Sequence, residues 1–216
     1  MRTIAILPGR FMPPHLGHKS VYDGLVNKFG YENVFIVSSN KQDATSSPLS
    51  FDQKKFLWAE LGVPPDNIVQ VISPYQPKEV TSKFDNTDTA IVFALSEKDA
   101  KRFTFKPKKN GDPSYMQPYD EDSLQSLDKT GYVLVVPTID FKVLGQEIKS
   151  ASEIRNMYIS ADDEGRIAIL KDLYGKATNT VKNIFDNALK NSISESIISV
   201  IREFKEFVYG HKKHSK

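Results

Sequence analysis

The sequence predicts an α/β fold, a Rossmann-like doubly wound parallel sheet of about five strands with a C-terminal helical extension. Short, continuous apolar runs rich in β-branched residues recur along the chain, as in strands buried on both faces of a parallel sheet. Amphipathic stretches separate these runs. Alternating strands and helices indicate right-handed βαβ crossovers, which build a doubly wound sheet.

Five apolar runs are predicted to be the strands. Ligands of doubly wound sheets bind outside the carboxyl ends of the strands, so the loops after these runs are where functional residues are expected. The runs are Arg2–Leu7, Asn33–Ser38, Asn67–Ile72, Thr89–Leu95 and Tyr132–Pro137.

Two helices between the strands have clear sequence signals. Residues 16–29 place Val21, Leu25 and Phe29 on one side of a helix. Residues 51–61 follow Ser50, and a glutamine stands three residues after that serine, which is the spacing of a capping box.

Composition is consistent with one main core. The chain has 216 residues, 39% hydrophobic and 26% charged, which suits one large domain with an appendage. We expect a domain over residues 1–175 and a helical extension over 176–216. Residues 104–131 form an insertion that contains prolines, glycines and opposite charges. Such a loop either covers a ligand pocket at the carboxyl edge of the sheet or is a solvated insertion.

The extension carries an apolar stripe at helical spacing. Its members are Val181, Ile184, Phe185, Ala188 and Leu189, then Ile197, Val200, Ile201, Phe204 and Phe207 or Val208. Such a stripe packs on its own core or on a second copy of the chain, and we favour a homo-oligomer formed through these helices.

Several classes of protein are disfavoured by composition. No apolar run approaches the ~18 residues that span a bilayer, and the N-terminus lacks a signal-peptide cleavage site, so no membrane partner and a cytoplasmic location are expected. There is no cysteine, which excludes disulfides and thiolate nucleophiles. The net charge of +2 makes a nucleic-acid partner an unfavoured expectation.

The loop after the first strand contains the first chemical motif, GRFMPPHLGH at residues 9–18. His15 and His18 stand three apart where a helix is expected to begin, so both rings share one face of its first turn. Unpaired backbone N–H groups and the positive end of the helix dipole make this an anion site. Gly17 removes a side chain where a phosphate would approach the backbone.

Other interpretations of this stretch are weaker. Seven residues separate Gly9 from Gly17 and no lysine follows Gly17 directly, so the stretch is no P-loop, and a G-x-G-x-x-G fingerprint is absent. Two histidines at this spacing could bind a metal, but no third ligand is near in sequence, so no protein metal site is expected. They could also be capping or core residues without chemistry.

The second motif is KSASEIR at residues 149–155. Ser150 and Glu153 have capping-box spacing, so a helix should open here with Arg155 one turn inside. The guanidinium offers a planar fork of donors for phosphate oxygens, and Lys149 and Ser152 add donors beside it. A capped helix with an exposed arginine is the plain alternative.

Together the two motifs resemble the HxGH nucleotidylyltransferase superfamily, which includes nicotinamide-nucleotide adenylyltransferases and cytidylyltransferases. Here Lys149 replaces the isoleucine and Ser152 the threonine of the family's second motif. SPLSFDQKK at residues 47–55 is similar to a third family stretch, with Lys54 in place of its arginine.

The resemblance implies transfer of a nucleoside monophosphate from ATP or CTP to a phosphate-bearing small molecule, with release of pyrophosphate and with Mg²⁺ carried by the triphosphate. It assigns His15, His18 and Arg155 to catalysis. The nucleotide-binding residues implied are Pro8, Gly9, Arg10, Phe11, Gly17, Lys149, Ser150 and Ser152.

The acceptor is left open by the sequence. NMN is one possibility, although the stretch after the third strand lacks the family's tryptophan and Tyr75 is only a possible substitute. The only tryptophan, Trp58, is expected in the core. A nucleotide-binding or structural protein that has lost turnover is the alternative function.

Overall fold

The computed structural model describes residues 1–44, 46–111, 113–137 and 139–190. The chain divides into two compact units. We call Met1–Lys41 with Ser50–Phe141 the sheet unit, and Gln42–Leu49 with residues 142–190 the helical unit.

The sheet unit contains a six-stranded parallel sheet in the order β3-β2-β1-β4-β6-β5. This is the predicted Rossmann-like arrangement with one strand more than expected. The strands are β1 (Arg2–Pro8), β2 (Val34–Ser38), β3 (Ile68–Gln70), β4 (Thr89–Leu95), β5 (Met116–Pro118) and β6 (Gly131–Val135).

The helices of the sheet unit connect the strands. α1 and α2 begin at the predicted residues. The helices are α1 (Leu16–Phe29), α2 (Phe51–Glu60), α3 (Lys78–Thr81) and α4 (Glu97–Ala100), with 3-10 turns at Tyr31–Asn33, Pro65–Asn67 and Glu121–Ser123.

The core of the sheet unit consists of alternate residues of neighbouring strands. Ile4 and Ile6 of β1 and Ile91 and Phe93 of β4 are buried in one cluster. All seven residues of β4 are buried, as are all five of β2. Complete burial explains why these strands are continuous apolar runs in the sequence.

Four of the five predicted strands have shifted boundaries in the structure, and β1 extends one residue further, to Pro8. Asn33 belongs to a 3-10 turn rather than to β2. β3 starts at Ile68 because Asn67 closes a 3-10 turn in which its backbone N–H donates to the Pro64 carbonyl, and it ends at Gln70 rather than Ile72. β6 starts one residue early and ends at Val135, short of the predicted Pro137.

The insertion supplies the additional strand. β5 pairs in parallel with β6, with Met116 opposite Gly131. The Leu127 amide donates to the carbonyl of Thr89, the first residue of β4. Residues 115–131 therefore lie toward the amino ends of the strands, so the suggestion that the insertion covers the carboxyl edge is wrong for this part of it.

The helical unit contains three longer helices and a small hairpin. Its elements are β7 (Lys142–Val143), β8 (Gln146–Glu147), α5 (Ala151–Ser160), α6 (Asp163–Tyr174) and α7 (Asn179–Ala188). The hairpin turn is anchored to α6 because the Leu144 amide donates to Asp172. No helix among these described residues, or elsewhere in the described chain, is long and apolar enough to cross a membrane.

The first half of the C-terminal apolar stripe is buried within the helical unit. Val181, Phe185 and Leu189 are all less than 5% exposed, and the Phe185 ring contacts Tyr158 and Tyr174. These three side chains therefore pack within the helical unit, which is the first of the two alternatives for the stripe, and self-association stays a prediction. The second half, from Ile197, lies outside the described residues.

Candidate functional site

The histidine motif lies at the switch point of the sheet. β1 has β2 on one side and β4 on the other, and strand order reverses between β1 and β4. The loop 9–15 leaves the carboxyl end of β1, and α1 begins directly after His15. Parallel sheets bind ligands in the crevice at this position.

His15 is the N-cap of α1. Its Nδ1 accepts a hydrogen bond from the backbone N–H of Gly17 at 3.1 Å. An accepting Nδ1 carries no proton, so the proton of the neutral ring is on Nε2. The first turn of α1 contains no acidic residue, so no carboxylate of its own competes for the positive helix end.

Gly17 is required by the histidine cap. A Cβ at this position would lie 3.0 Å from Cε1 and 3.1 Å from Nδ1 of His15. The space above this glycine is therefore filled by the imidazole that caps the helix. We expected Gly17 to leave room for a phosphate. In the structure the missing side chain leaves room for the His15 ring instead.

The two imidazoles lie against each other at a tilt. Their centroids are 3.9 Å apart with an interplanar angle of 39°, and Phe141 stacks on His15 at 4.3 Å with an interplanar angle of 21°. The His15 ring is therefore in contact with both His18 and Phe141. Phe141 follows β6 and has no recognisable motif, so sequence reasoning missed it.

Both rings are neutral near pH 7. Burial, and then the charge on His18, lowers the pKa of His15 from 6.5 to about 2. Burial alone lowers the pKa of His18 to about 4. Burial removes the water that would stabilise a charged imidazolium, so the neutral form of each ring is favoured. A neutral imidazole can donate one N–H hydrogen bond but carries no fixed positive charge.

The loop before the histidines is held by Phe11. This residue has a φ of +50°, in the left-handed region that non-glycine residues rarely adopt. Its ring lies over Gly9, where a Cβ would come within 2.5 Å of it. The Gly9 amide donates to the Val37 carbonyl of β2, whereas Arg10 is exposed.

Lys54 is a buried cation at the end of β2. Its ammonium donates to the Ser38 hydroxyl and to the Ser39 carbonyl, each at 2.7 Å. Burial lowers the pKa of Lys54 to about 8. The sequence comparison noted this lysine only as a replacement for arginine, because its burial depends on how α2 packs.

The second motif is brought together in the helical unit, where Ser150 caps α5. The Glu153 carboxylate accepts from the Lys149 amide at 3.0 Å and from the Ser150 hydroxyl at 2.9 Å. These hydrogen bonds hold the pKa of Glu153 below its usual value. A carboxylate of the chain itself therefore already uses two of the predicted phosphate donors.

Arg155 does not match the plain alternative of a capped helix with an exposed arginine. It is 8% exposed, and its Nη2 donates to the Ser152 hydroxyl at 3.1 Å. The predicted residues of this motif thus form one local cluster in which Arg155 is the buried member. Lys149, Ser150 and Ser152 are exposed.

Comparison with solved structures identifies a shared fold. The chain is similar to a bifunctional NMN adenylyltransferase/ADP ribose pyrophosphatase from Francisella tularensis, complexed with AMP and a manganese ion, with 18% identity and a TM-score of 0.53 over 100% of this chain. A second structure of the bifunctional protein from that organism gives 16% identity and a TM-score of 0.54 over 96% of the chain. No family model and no curated protein matches the sequence.

These matches confirm the fold expected from the two motifs. The chain shares the fold of these two solved structures. It spans 58% and 56% of the length of the two bifunctional structures.

Proposed function

We propose that the protein is a nucleotidylyltransferase that transfers a nucleoside monophosphate from ATP or CTP to a phosphate-bearing small molecule and releases pyrophosphate. The observation that carries this proposal is the pair of adjacent neutral histidines, with ring centroids 3.9 Å apart, at the N-terminus of α1 and at the switch point of the sheet. Nothing in this arrangement resembles a nucleophile with its base, and phosphoryl transfer needs none from the protein.

In the proposed reaction, an acceptor phosphate oxygen attacks the α-phosphorus of the triphosphate. A bond forms between these atoms, the bond to the bridging oxygen of the β-phosphate breaks, and pyrophosphate leaves with the electron pair. His15 donates from Nε2 to a phosphate oxygen, and His18 does the same as negative charge builds in the transition state. Donors fixed by a helix cap and by ring packing need little reorganisation.

The loop residues are proposed to fix the nucleotide. Backbone groups of Pro8 and Gly9 lie beside β2, and the Phe11 ring prevents the loop from collapsing onto Gly9. Arg10 is exposed and can reach an anionic ligand. These residues bind the nucleotide and orient it toward the histidines.

The Arg155 cluster is proposed to bind phosphate oxygens of the triphosphate. Arg155 supplies the forked donors, and Ser152 orients them through the bond at 3.1 Å. Lys149 contributes its ammonium group. The Glu153 carboxylate at this helix end disfavours a second anion on the Ser150 hydroxyl, so Ser150 is the weakest member of the proposed set.

Mg²⁺ is proposed to arrive with the triphosphate. In the ranges that the structure describes, no group of three or more His, Asp or Glu side chains is arranged to hold a metal ion. The described residues do not form a Mg²⁺ site of their own, and no step is assigned to a metal held by the protein. Bound to the triphosphate, the ion would neutralise phosphate charge.

NMN is the first acceptor to test, because the bifunctional Francisella protein is described as an NMN adenylyltransferase. Tyr75 is 36% exposed and packs edge to face on Phe103 at 5.6 Å. A half-open aromatic ring after β3 is suited to stacking on a base.

The decisive experiment measures pyrophosphate release with four triphosphates against a panel of phosphorylated acceptors, NMN among them. Turnover with one pair, lost in His15→Ala/His18→Ala, supports the proposal. Gly24→Ala, on the exposed side of α1, is the matched control and should keep full turnover. Triphosphate binding without turnover for any acceptor would support a binding protein instead, and no binding would reject both.

The cytoplasmic location and the homo-oligomer are also proposals. If residues 191–216 drive association, the full chain should sediment as an oligomer and a chain ending at Lys190 as a monomer. The truncated chain should keep its thermal midpoint, because the buried half of the apolar stripe packs on α5 and α6. A monomeric full chain, or an oligomer that survives truncation, contradicts the idea.

A further inference from the structure

An aromatic wall from α2 lies behind the histidine loop. Trp58 is 1% exposed, one helical turn after the buried Lys54. Its ring meets Phe11 edge to face, with centroids 5.1 Å apart and planes at 79°. Trp58 also lies 6.2 Å from the His18 ring.

Phe11 connects this wall to His18. The Phe11 ring meets the imidazole edge to face at 5.2 Å and 88°. Its left-handed backbone is a sparsely populated conformation that persists only when surrounding contacts hold it. The packing of Phe11 between Trp58 and His18 is such a contact.

Two polar atoms in this cluster have no hydrogen-bond partner among the described residues. They are His18 Nδ1 and Trp58 Nε1. A proton on the buried Nδ1 would be an N–H donor without an acceptor, and a buried unpaired donor is tolerated less often than a buried unpaired acceptor. The cluster therefore favours the tautomer of His18 with its proton on Nε2.

We propose that Trp58 is a positioning residue for His18: together with Phe11 it fixes the plane of the imidazole and keeps its proton on Nε2. The inference rests on the proposed function, in which His18 donates to a phosphate oxygen. Both histidines then present the same kind of donor, because the helix cap selects Nε2 in His15 and the aromatic wall selects it in His18.

The charged groups around the cluster are consistent with a neutral ring. His15 is itself neutral and 3.9 Å away. Lys54, on the same helix as Trp58, has its ammonium directed to Ser38 and Ser39, and Arg10 is exposed. Burial by the aromatic rings holds the pKa of His18 at about 4.

The test uses the full chain with three substitutions in α2. Trp58→Leu removes the aromatic wall, and Trp58→Phe keeps an aromatic ring but removes the indole N–H. Leu57→Ala is the matched control, because Leu57 is fully buried in the same helix and loses comparable stability for reasons of volume. The readouts are the ¹⁵N shifts of the His18 ring, its titration, and kcat and KM.

We expect Trp58→Leu to raise the pKa of His18 by at least about one unit toward 6.5 and to let the ring exchange between tautomers. The kcat should fall about tenfold with KM nearly unchanged, since the lost donor geometry matters mainly in the transition state. Trp58→Phe, which keeps an aromatic ring beside Phe11 and His18, should restore most of the pKa depression and keep the proton on Nε2. Leu57→Ala should lower the thermal midpoint and leave the His18 signals in place.

Unchanged His18 shifts and titration in both Trp58 variants would overturn the inference, as would the same changes in Leu57→Ala. The nuclear magnetic resonance readout needs no substrate. A wild-type chain that neither binds nor turns over any triphosphate rejects the proposed function and leaves the His18 result to decide the inference separately.

Discussion

The starts of α1 and α5 were both predicted as phosphate sites, yet the two helices are capped in opposite ways. At α1 the cap is the neutral His15 imidazole, and the first turn holds no acidic residue. At α5 the cap is Ser150, and Glu153 returns its carboxylate to the Lys149 amide. The α1 terminus thus keeps its positive end for an external anion, whereas α5 meets part of that demand with its own side chain.

In the proposed function this difference gives the two motifs different donors. At α1, neutral histidines would suffice because backbone N–H groups supply positive potential. At α5, where the Glu153 carboxylate lies at the helix end, the proposed phosphate site would depend on the Arg155 guanidinium.

The largest expected effect is at α1. His18→Ala should lower turnover by about 10²–10³, the usual loss on removing one preorganised transition-state donor. Steady-state kinetics on the pair identified by pyrophosphate release measures it. Circular dichroism serves as the control for folding, and a folded variant with unchanged turnover would remove His18 from the mechanism.

At α5, substitutions of Arg155 and of the capping Ser150 should affect different properties, the first triphosphate binding and the second stability. Arg155→Lys should weaken triphosphate binding at least about tenfold, because an ammonium cannot reproduce the forked donors, and should affect monophosphate binding much less. Ser150→Ala should instead lower stability by about 1 kcal/mol and leave binding within twofold. Calorimetric titration of both nucleotides distinguishes the two roles, and equal losses for both ligands in Arg155→Lys would place the arginine elsewhere.

Two glycines of α1 sharpen the comparison within one helix. Gly17→Ala should destabilise the fold by about 1–2 kcal/mol because the methyl group displaces the capping imidazole. Gly24→Ala should stabilise it by about 0.5–1 kcal/mol, since a methyl group there meets nothing within 4 Å and alanine favours helix. Urea unfolding gives both values, and a neutral Gly17→Ala would contradict the cap.

The smallest effect is the dependence of stability on pH. The histidines have folded pKa values below 6.5, so the unfolded chain binds more protons and stability is lost as pH falls from about 6.5 toward 4. The lowered pKa of Glu153 acts in a more acidic window, with stability present above its unfolded value of 4.5 and lost below it. Thermal midpoints at pH 7.5 and 5 should differ in the wild type by a few degrees and differ less in His18→Phe. An unchanged difference in that variant would mean that His18 is not buried as a neutral ring.

Much of the fold and of the site was predictable because it depends on local sequence. The limits of α1 and the start of α2 follow from caps and periodicity, and full burial makes β2 and β4 continuous apolar runs. The loop at 9–18 and the cluster at 149–155 were predictable as groups because their members are neighbours in sequence.

Tertiary packing alone decided the remaining features. Phe141 stacks on His15, and Trp58 lies behind His18. Both aromatic residues are far from the histidines in sequence, and neither belongs to a motif that predicts the contact. The edge strand β5 has only three residues, too few for a periodic signal, and it is a strand because β6 offers it an edge. The sequence determines that Glu153 can reach Ser150 and that Arg155 lies one turn inside α5. The burial of Arg155 and the neutrality of both histidines depend instead on which atoms exclude water around them. Desolvation is a property of packed surroundings, so a sequence can name the ionisable groups while only the folded chain sets their charge.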